Sequence, residues 1–340
     1  MADVTVAASP TEATLRTAIE TTALDGDTVY LTSPVAVTLT TGPLLITNKA
    51  IRIKGTGRNT VITGMASQHI FQVTNAGASG ADLKRLQIED MTLVGNATGL
   101  DGISIVGTAG KGKYTGVLIA NVDISACRNG VAVSMPNIGA DAMVYLVMDG
   151  MTITGSRARG VTIANVSMAR MQSCEVNSST QNGIFASICP NFQIVSCASE
   201  TNNQGLGSGI EGDAQVLIKL CHSFTVLGLD MENLPTAAAA TKTGLVISNC
   251  TGGSLSGVNV IQGGSQIYPN SIGVHLVNSA RAIQIGSITA SYIAHPIYYD
   301  RSSQQGKVAT GNAVPVILAP STLAANADGP AVGLEAPPVY

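Results

Sequence analysis

The chain reads as an all-β solenoid, a parallel β-helix of about ten coils with a short capping helix at its N-terminal end. Three in-phase ladders predict it. The first is a four-residue phrase written eight times: Ile88-Glu89-Asp90-Met91, Ile119-Ala120-Asn121-Val122, Met148-Asp149-Gly150-Met151, Met171-Gln172-Ser173-Cys174, Ile194-Val195-Ser196-Cys197, Val226-Leu227-Gly228-Leu229, Leu255-Ser256-Gly257-Val258 and Ile285-Gly286-Ser287-Ile288. The second stands eight residues before each closing apolar position, at Leu83, Tyr114, Met143, Val166, Cys189, Cys221, Cys250 and Ala280. The third is a glycine followed by an aliphatic residue, at Gly102, Gly130, Gly160, Gly183, Gly209, Gly244 and Gly273. Across the three ladders, successive copies lie 23 to 35 residues apart. Such a period is the signature of a repeat architecture with a fixed core and variable loops.

Each repeat supplies two or three short strands whose inward residues alternate with outward ones. A lone coil has nothing to bury its apolar face against, so coils must stack and share one core. The Asp/Asn/Gly/Ser column marks a sharp bend in or near the left-handed region, which these residues tolerate best. At about 4.8 Å per coil, ten coils make a rod roughly 50 Å long.

In chain order, Ser9-Pro10-Thr11-Glu12 has the form of a capping box with proline at the first helical position. Leu15, Ala18, Ile19 and Thr22 then fall on one helical face. This helix would plug the open end of the core and hide an edge that could template aggregation. Asp25-Gly26-Asp27 turns into Thr28–Leu31, followed by strands at 44–46, 51–55 and 61–62. Loops interrupt the ladder near 75–81, 107–116, 136–142, 202–209, 234–243 and 263–271. The expected organisation is an N-terminal strand and capping helix over 1–24, the β-helix over 25–318, and an extended Pro-rich tail over 319–340. The helix, the Asp-Gly-Asp turn and the strand ladder together resemble the pectate-lyase-like β-helix superfamily over roughly residues 1–318. That resemblance implies a right-handed, single-stranded parallel β-helix and does not by itself imply an activity.

Charged residues make 11% of the chain and aromatics 4%, with 37 Gly, no Trp and a net charge of −3. The charge argues against a nucleic-acid partner. No apolar run approaches the eighteen or so residues a membrane span needs, so no membrane insertion is expected. The start Met-Ala-Asp-Val has no charged or apolar leader, so no secretory signal is read there. Six cysteines occur, at 127, 174, 189, 197, 221 and 250. Disulfides or a metal site are one reading. The favoured one is a column of reduced, buried thiols, because the spacings match no zinc signature. No cofactor and no metal are expected.

Gly107-x4-Gly112-Lys113 has P-loop spacing, but Tyr114 stands where a Mg²⁺-holding Ser or Thr belongs, and Tyr114 is itself a core-ladder residue. Acidic residues are more suggestive. Asp123, Glu175 and Asp230 follow the closing ladder residue by one, and Asn177, Glu200 and Glu232 by three. Both sets face outward. Glu200 and Glu232 would meet on adjacent coils about 5 Å apart, a spacing suited to a retaining glycosidase pair. The competing reading is a solvated face, favoured because no aromatic platform for a sugar lies nearby in sequence. Arg52-Ile53-Lys54 matches one polygalacturonase-like element, but in an early coil and without that pattern's acidic partners. The pectate-lyase and mannuronan-epimerase motifs are absent. His222 reads as a surface turn residue, and Tyr292, His295, Tyr298 and Tyr299 as a contact surface near the last coils.

No catalytic residues are assigned from this, and the binding residues stay unknown. Two function classes follow. One is a virion protein resembling phage tail-spike β-helices in fold and texture: a tail spike, tail fibre or head-decoration component. The resemblance implies a homotrimer, other virion proteins as partners, host surface polysaccharide as a possible ligand and the virion as location. The other is a polysaccharide-degrading lyase or glycosidase using the acidic face.

Overall fold

The computed structural model describes residues 2–75, 82–136, 143, 145–203, 210–234, 242–262, 267–278, 280–299, 317–318 and 324–325. Its architecture is a parallel β-solenoid of about nine turns, close to the expected ten, with one short helix near the N-terminus. Among the described residues one sheet holds 19 strands and the other ten, and the strand pairings within each are parallel.

The larger sheet is two faces of the solenoid joined along a bend. Strands such as Leu86–Val94 and Val117–Ser125 turn in mid-course, and each half pairs with its own partners. The bend residues are the Asp/Asn/Gly/Ser column. Asp90, Asn121, Gly150, Ser173, Ser196, Gly228 and Gly257 all have φ between 50° and 65°. Ser287, the eighth copy, does not adopt a positive φ.

Before the bend, the inward column runs Val29, Ile53, Ile88, Ile119, Met148, Met171, Ile194, Val226, Leu255, Ile285 in register. The third face carries a second column, Leu44, Phe71, Ile103, Val131, Val161, Ile184, Val216, Leu245, Val274, Ile297. Nearly all of these side chains are fully buried in one continuous core. Each contributes on the order of 1.5–3 kcal/mol, and the repetition along the axis turns that into a stable rod. All eight residues of the second ladder are buried as well.

The third ladder shows why glycine recurs where the chain enters the third face. A Cβ on Gly160 would stand 2.1 Å from Cγ1 of Val176 and 2.7 Å from the carbonyl oxygen of Gly183. One expected copy is displaced. Gly209 lies outside the described residues, and Ile210 is exposed. The strand partner of Gly183 is Gln215, six residues later, whose Nε2 donates to the Glu232 carbonyl at 2.9 Å. The loop before this strand is longer than the repeat predicts.

At the N-terminal end the helix spans Glu12–Arg16 and continues as a π-helical turn over Thr17–Thr22. Its cap is Thr11, whose side chain accepts from the Thr14 N–H, rather than Ser9. Glu12 is therefore free to bind outward. It accepts from the backbone and hydroxyl groups of Thr40 and Thr41, and pairs with Arg16 at 2.8 Å. Leu15, Ala18 and Ile19 are buried as expected, but Thr22 is exposed and Ala23 is buried in its place. The N–H of Ala23 reaches back five residues to the Ala18 carbonyl, which shifts the helical face by one position. Lys49 closes the last turn, donating to the carbonyls of Ile19, Glu20 and Ala23. Asp25 and Asp27 fix the following turn by accepting from the N–H groups of Ala50, Ala2 and Leu24.

At the other end, Ile317–Leu318 and Ala324–Ala325 pair onto the strands at Arg281–Ile285 and Ile288–Ser291. The remainder of the Pro-rich segment 319–340 lies outside the described residues, as do the loop residues expected at 76–81, 137–142, 204–209, 235–241 and 263–266.

Candidate functional site: the acidic face

Two outward columns on the face after the bend carry the acidic residues. In register, one runs Asp123, Thr152, Glu175, Ala198, Asp230, Asn259, and the other Ser125, Thr154, Asn177, Glu200, Glu232, Ile261. Glu175, Glu200 and Asp230, with the bend residues Ser173, Ser196 and Gly228, line a shallow depression open to solvent. The floor is small because the bend column requires residues that tolerate φ > 0, and those are small. Asn177 Nδ2 donates to Glu175 Oε1, and Asn259 Nδ2 to Asp230 Oδ1 at 2.8 Å.

Among the described residues, no ion pair reaches Glu175, Glu200, Asp230 or Glu232. Partial burial, then the neighbouring carboxylates of Glu232, Glu175 and Asp230, hold the Glu200 carboxyl above the ordinary carboxylate range. Chemically, the face can share a proton between adjacent carboxylates or attract cationic or hydroxyl-rich groups. No three His, Cys, Asp or Glu residues among those described are grouped so as to hold a metal ion.

The other candidates fall apart from this face. Arg52 makes a two-pronged contact with Glu89 at 3.0 and 2.8 Å, and Lys54 lies 3.8 Å from Asp90. The Arg-Ile-Lys triplet is thus spent on the next coil's acids. Tyr114 is 1% exposed, its hydroxyl has no hydrogen-bond partner among the described residues, and burial raises its pKa. All six cysteines are free and buried. Cys189, Cys221 and Cys250 stack, each successive Sγ accepting the backbone N–H of the cysteine before it at 3.4 Å. Burial pushes the Cys127 thiol up to about 12. His222 is exposed and forms an isolated parallel bridge with Thr251 of the next coil rather than lying in a turn, and Tyr298 is 44% exposed, its ring 5.0 Å from that of His275. The side chain of Tyr299 is outside what is described.

One polar network escaped the sequence reading. Asp101, 2% exposed, accepts from both arms of Arg128 at 3.0 Å and from Asn129 Nδ2 at 2.7 Å, with His69 Nδ1 3.3 Å away. Asn129 Oδ1 accepts the Arg159 N–H, and Arg159 Nε donates to Asn182 at 3.2 Å while its guanidinium lies 4.2 Å over the Phe185 ring. The signal was present: Asp101, Asn129, Arg159 and Asn182 each stand just before a ladder glycine. They lace four coils together along one corner.

The fold has known counterparts. An ORF18 protein of Geobacillus virus E2 superposes with a TM-score of 0.54 at 14% identity, over 85% of this chain and 56% of that one. Tailspike protein 2 from an Escherichia coli O157:H7 bacteriophage gives 0.53 at 11% identity, over 91% and 39%. An alginate lyase from Paenibacillus sp. FPU-7 gives 0.51 at 10% identity, over 88% and 98%. This chain therefore spans about half of the first protein and less of the second. At these identities the likeness is one of fold. No family model and no curated protein sequence matches the chain.

Proposed function

We propose that the chain is a structural or adhesive component of a bacteriophage particle, a tail spike, tail fibre or head-decoration protein working as a homotrimer. The observation that carries this is the character of the outward acidic face. It is shallow and open, Glu200 and Glu232 stand side by side with no ion pair to either among the described residues, and no aromatic side chain lines the depression. A sugar ring would find nothing there to stack on or to hold it against solvent. The fold shared with a virus ORF product and a phage tailspike supports the same reading. Its partners would be further copies of itself, other virion proteins through the 319–340 segment, and, away from the acidic face, host surface polysaccharide. The test is immunogold labelling of density-purified particles with antibody to this chain. Labelled particles support the proposal, and particles free of the chain overturn it.

The second reading, a polysaccharide-degrading enzyme, rests on one observation. Glu200, with its raised carboxyl pKa beside Glu232, has the electrostatics of a general acid next to a carboxylate. Release of reducing ends or unsaturated products from bacterial capsule, lost in Glu200→Gln, would move the function to this class.

A further inference from the structure

Where the third face turns back toward the first, the corner residue has a positive φ in coil after coil: Asn165 59°, Ile188 54°, Leu220 54°, Asn249 53° and Asn278 53°. Asparagine is the side chain that tolerates this region, and a β-branched isoleucine is among those that tolerate it least. Ile188 and Leu220 therefore hold strained backbone, and they do so on adjacent coils, since the N–H of Ile188 donates to the Lys219 carbonyl. Neither is compensated by burial, at 38% and 39% exposed. Two costs coincide at two neighbouring positions.

The two preceding coils extend the pattern. Tyr145 and Met168 sit on the same corner, one coil apart, with the Leu146 N–H donating to the Met168 carbonyl. They are 43% and 38% exposed. Four successive coils thus each present one large apolar side chain at this corner, in a stepped stripe: Tyr145 and Met168 at the end of the corner, level with Asn191, and Ile188 and Leu220 three residues earlier, level with Asn165. The other exposed large apolar residues among those described do not fall on consecutive coils of one corner.

We propose that this corner is the seam along which a second copy of the chain packs, side by side and parallel. The occupant follows from the repeat. A body with the same rise of about 4.8 Å per coil is the one that can offer a matching side chain to each step of the stripe. Area points the same way. A stable interface needs roughly 800 Å² per partner, more than four side chains supply. A strip running the length of a nine-turn rod, about 43 Å by about 20 Å, supplies it. The stripe is then the desolvated centre of a rod-long contact. The inference rests on the reading that the chain self-associates, and it names the surface used.

The experiment compares the full chain with the double variant Ile188→Asn, Leu220→Asn by sedimentation velocity across a concentration series and by thermal melting. Asparagine already occupies this corner position in three other coils, so the variant is expected to fold, with the circular dichroism of the parent. The expected result is a parent that sediments as an oligomer and a variant whose dissociation constant rises at least tenfold. The monomer's melting temperature should be equal or higher, because strain has been removed. Met168→Ser is expected to weaken association in the same direction. A parent that is oligomeric and a variant that associates equally well would overturn the seam while leaving self-association standing. A parent that is monomeric throughout would overturn both.

Discussion

Glu200 and Glu232 are strand partners on adjacent coils, and Glu175 and Asp230 flank them in the neighbouring outward column. Four carboxylates thus share one patch of sheet, and the charge on Glu200 is disfavoured by partial burial and by those neighbours. A group whose folded-state pKa is raised destabilises the fold progressively as pH climbs past its unfolded value of 4.5, and has no effect well below it.

Glu200→Gln is therefore expected to raise stability at pH 7 by about 0.5–1 kcal/mol, as relief of like charges across a sheet does. The gain should vanish below about pH 4. Paired melts of parent and variant from pH 3.5 to 8 measure it. A variant less stable than the parent at neutral pH would show that Glu200 makes a favourable contact instead.

Acid should attack the opposite end of the rod. Although burial works against it, hydrogen bonds from Thr40, Thr41 and Arg16 hold the Glu12 carboxyl down to about 2. A depressed carboxylate contributes stability in full above its ordinary 4.5, and that contribution is lost as pH falls toward 2. Glu12→Gln is expected to cost about 1–3 kcal/mol at pH 7 and to flatten the acid limb of the stability profile. Equal acid limbs in parent and variant would refute this role for Glu12.

Val258 and Ile288 are register partners of the inward ladder, 1% and 3% exposed. Aspartate at either place buries a charge without a partner, a change of several kcal/mol, and is expected to unfold the later coils. Far-ultraviolet circular dichroism and melting report it. An unchanged midpoint would contradict the register.

Thiol chemistry tests the interior independently. All six cysteines are free and buried, and thiols held above the ordinary range, such as Cys127, react slowly. Titration with an aromatic disulfide is expected to find six thiols in denaturant and almost none in the native chain. Fast reaction of several under native conditions would mean that the coils open.

Much of this was legible in the residues. Inward positions must be apolar in every coil because each stacks on the last, so Ile88, Ile119, Met148 and their successors spell out one column. The bend column was legible because a backbone with φ > 0 selects Asp, Asn, Gly and Ser. The pairing of Glu200 with Glu232 followed from the same ladder. Less legible was anything set by loop length. The Gly209 register failed because the chain spends six more residues before rejoining the third face at Gln215, and Thr22 lost its place to Ala23 through a π turn that periodicity does not show.

The sequence by itself determined the solenoid, its core and its bend, since each of these is a repeated local demand: an apolar residue inside, a small or left-handed-tolerant one at the corner. Tertiary structure decided which outward residues meet and what conformation they hold. The lacing of Asp101, Asn129, Arg159 and Asn182 appears once coils are stacked. The strain at Ile188 and Leu220 is invisible in the letters, because isoleucine and leucine announce a strand and the corner imposes a left-handed backbone on them. Outward positions face water in the unfolded chain and in the fold alike, so burial leaves no periodic mark on them, and the geometry between coils alone gives them neighbours.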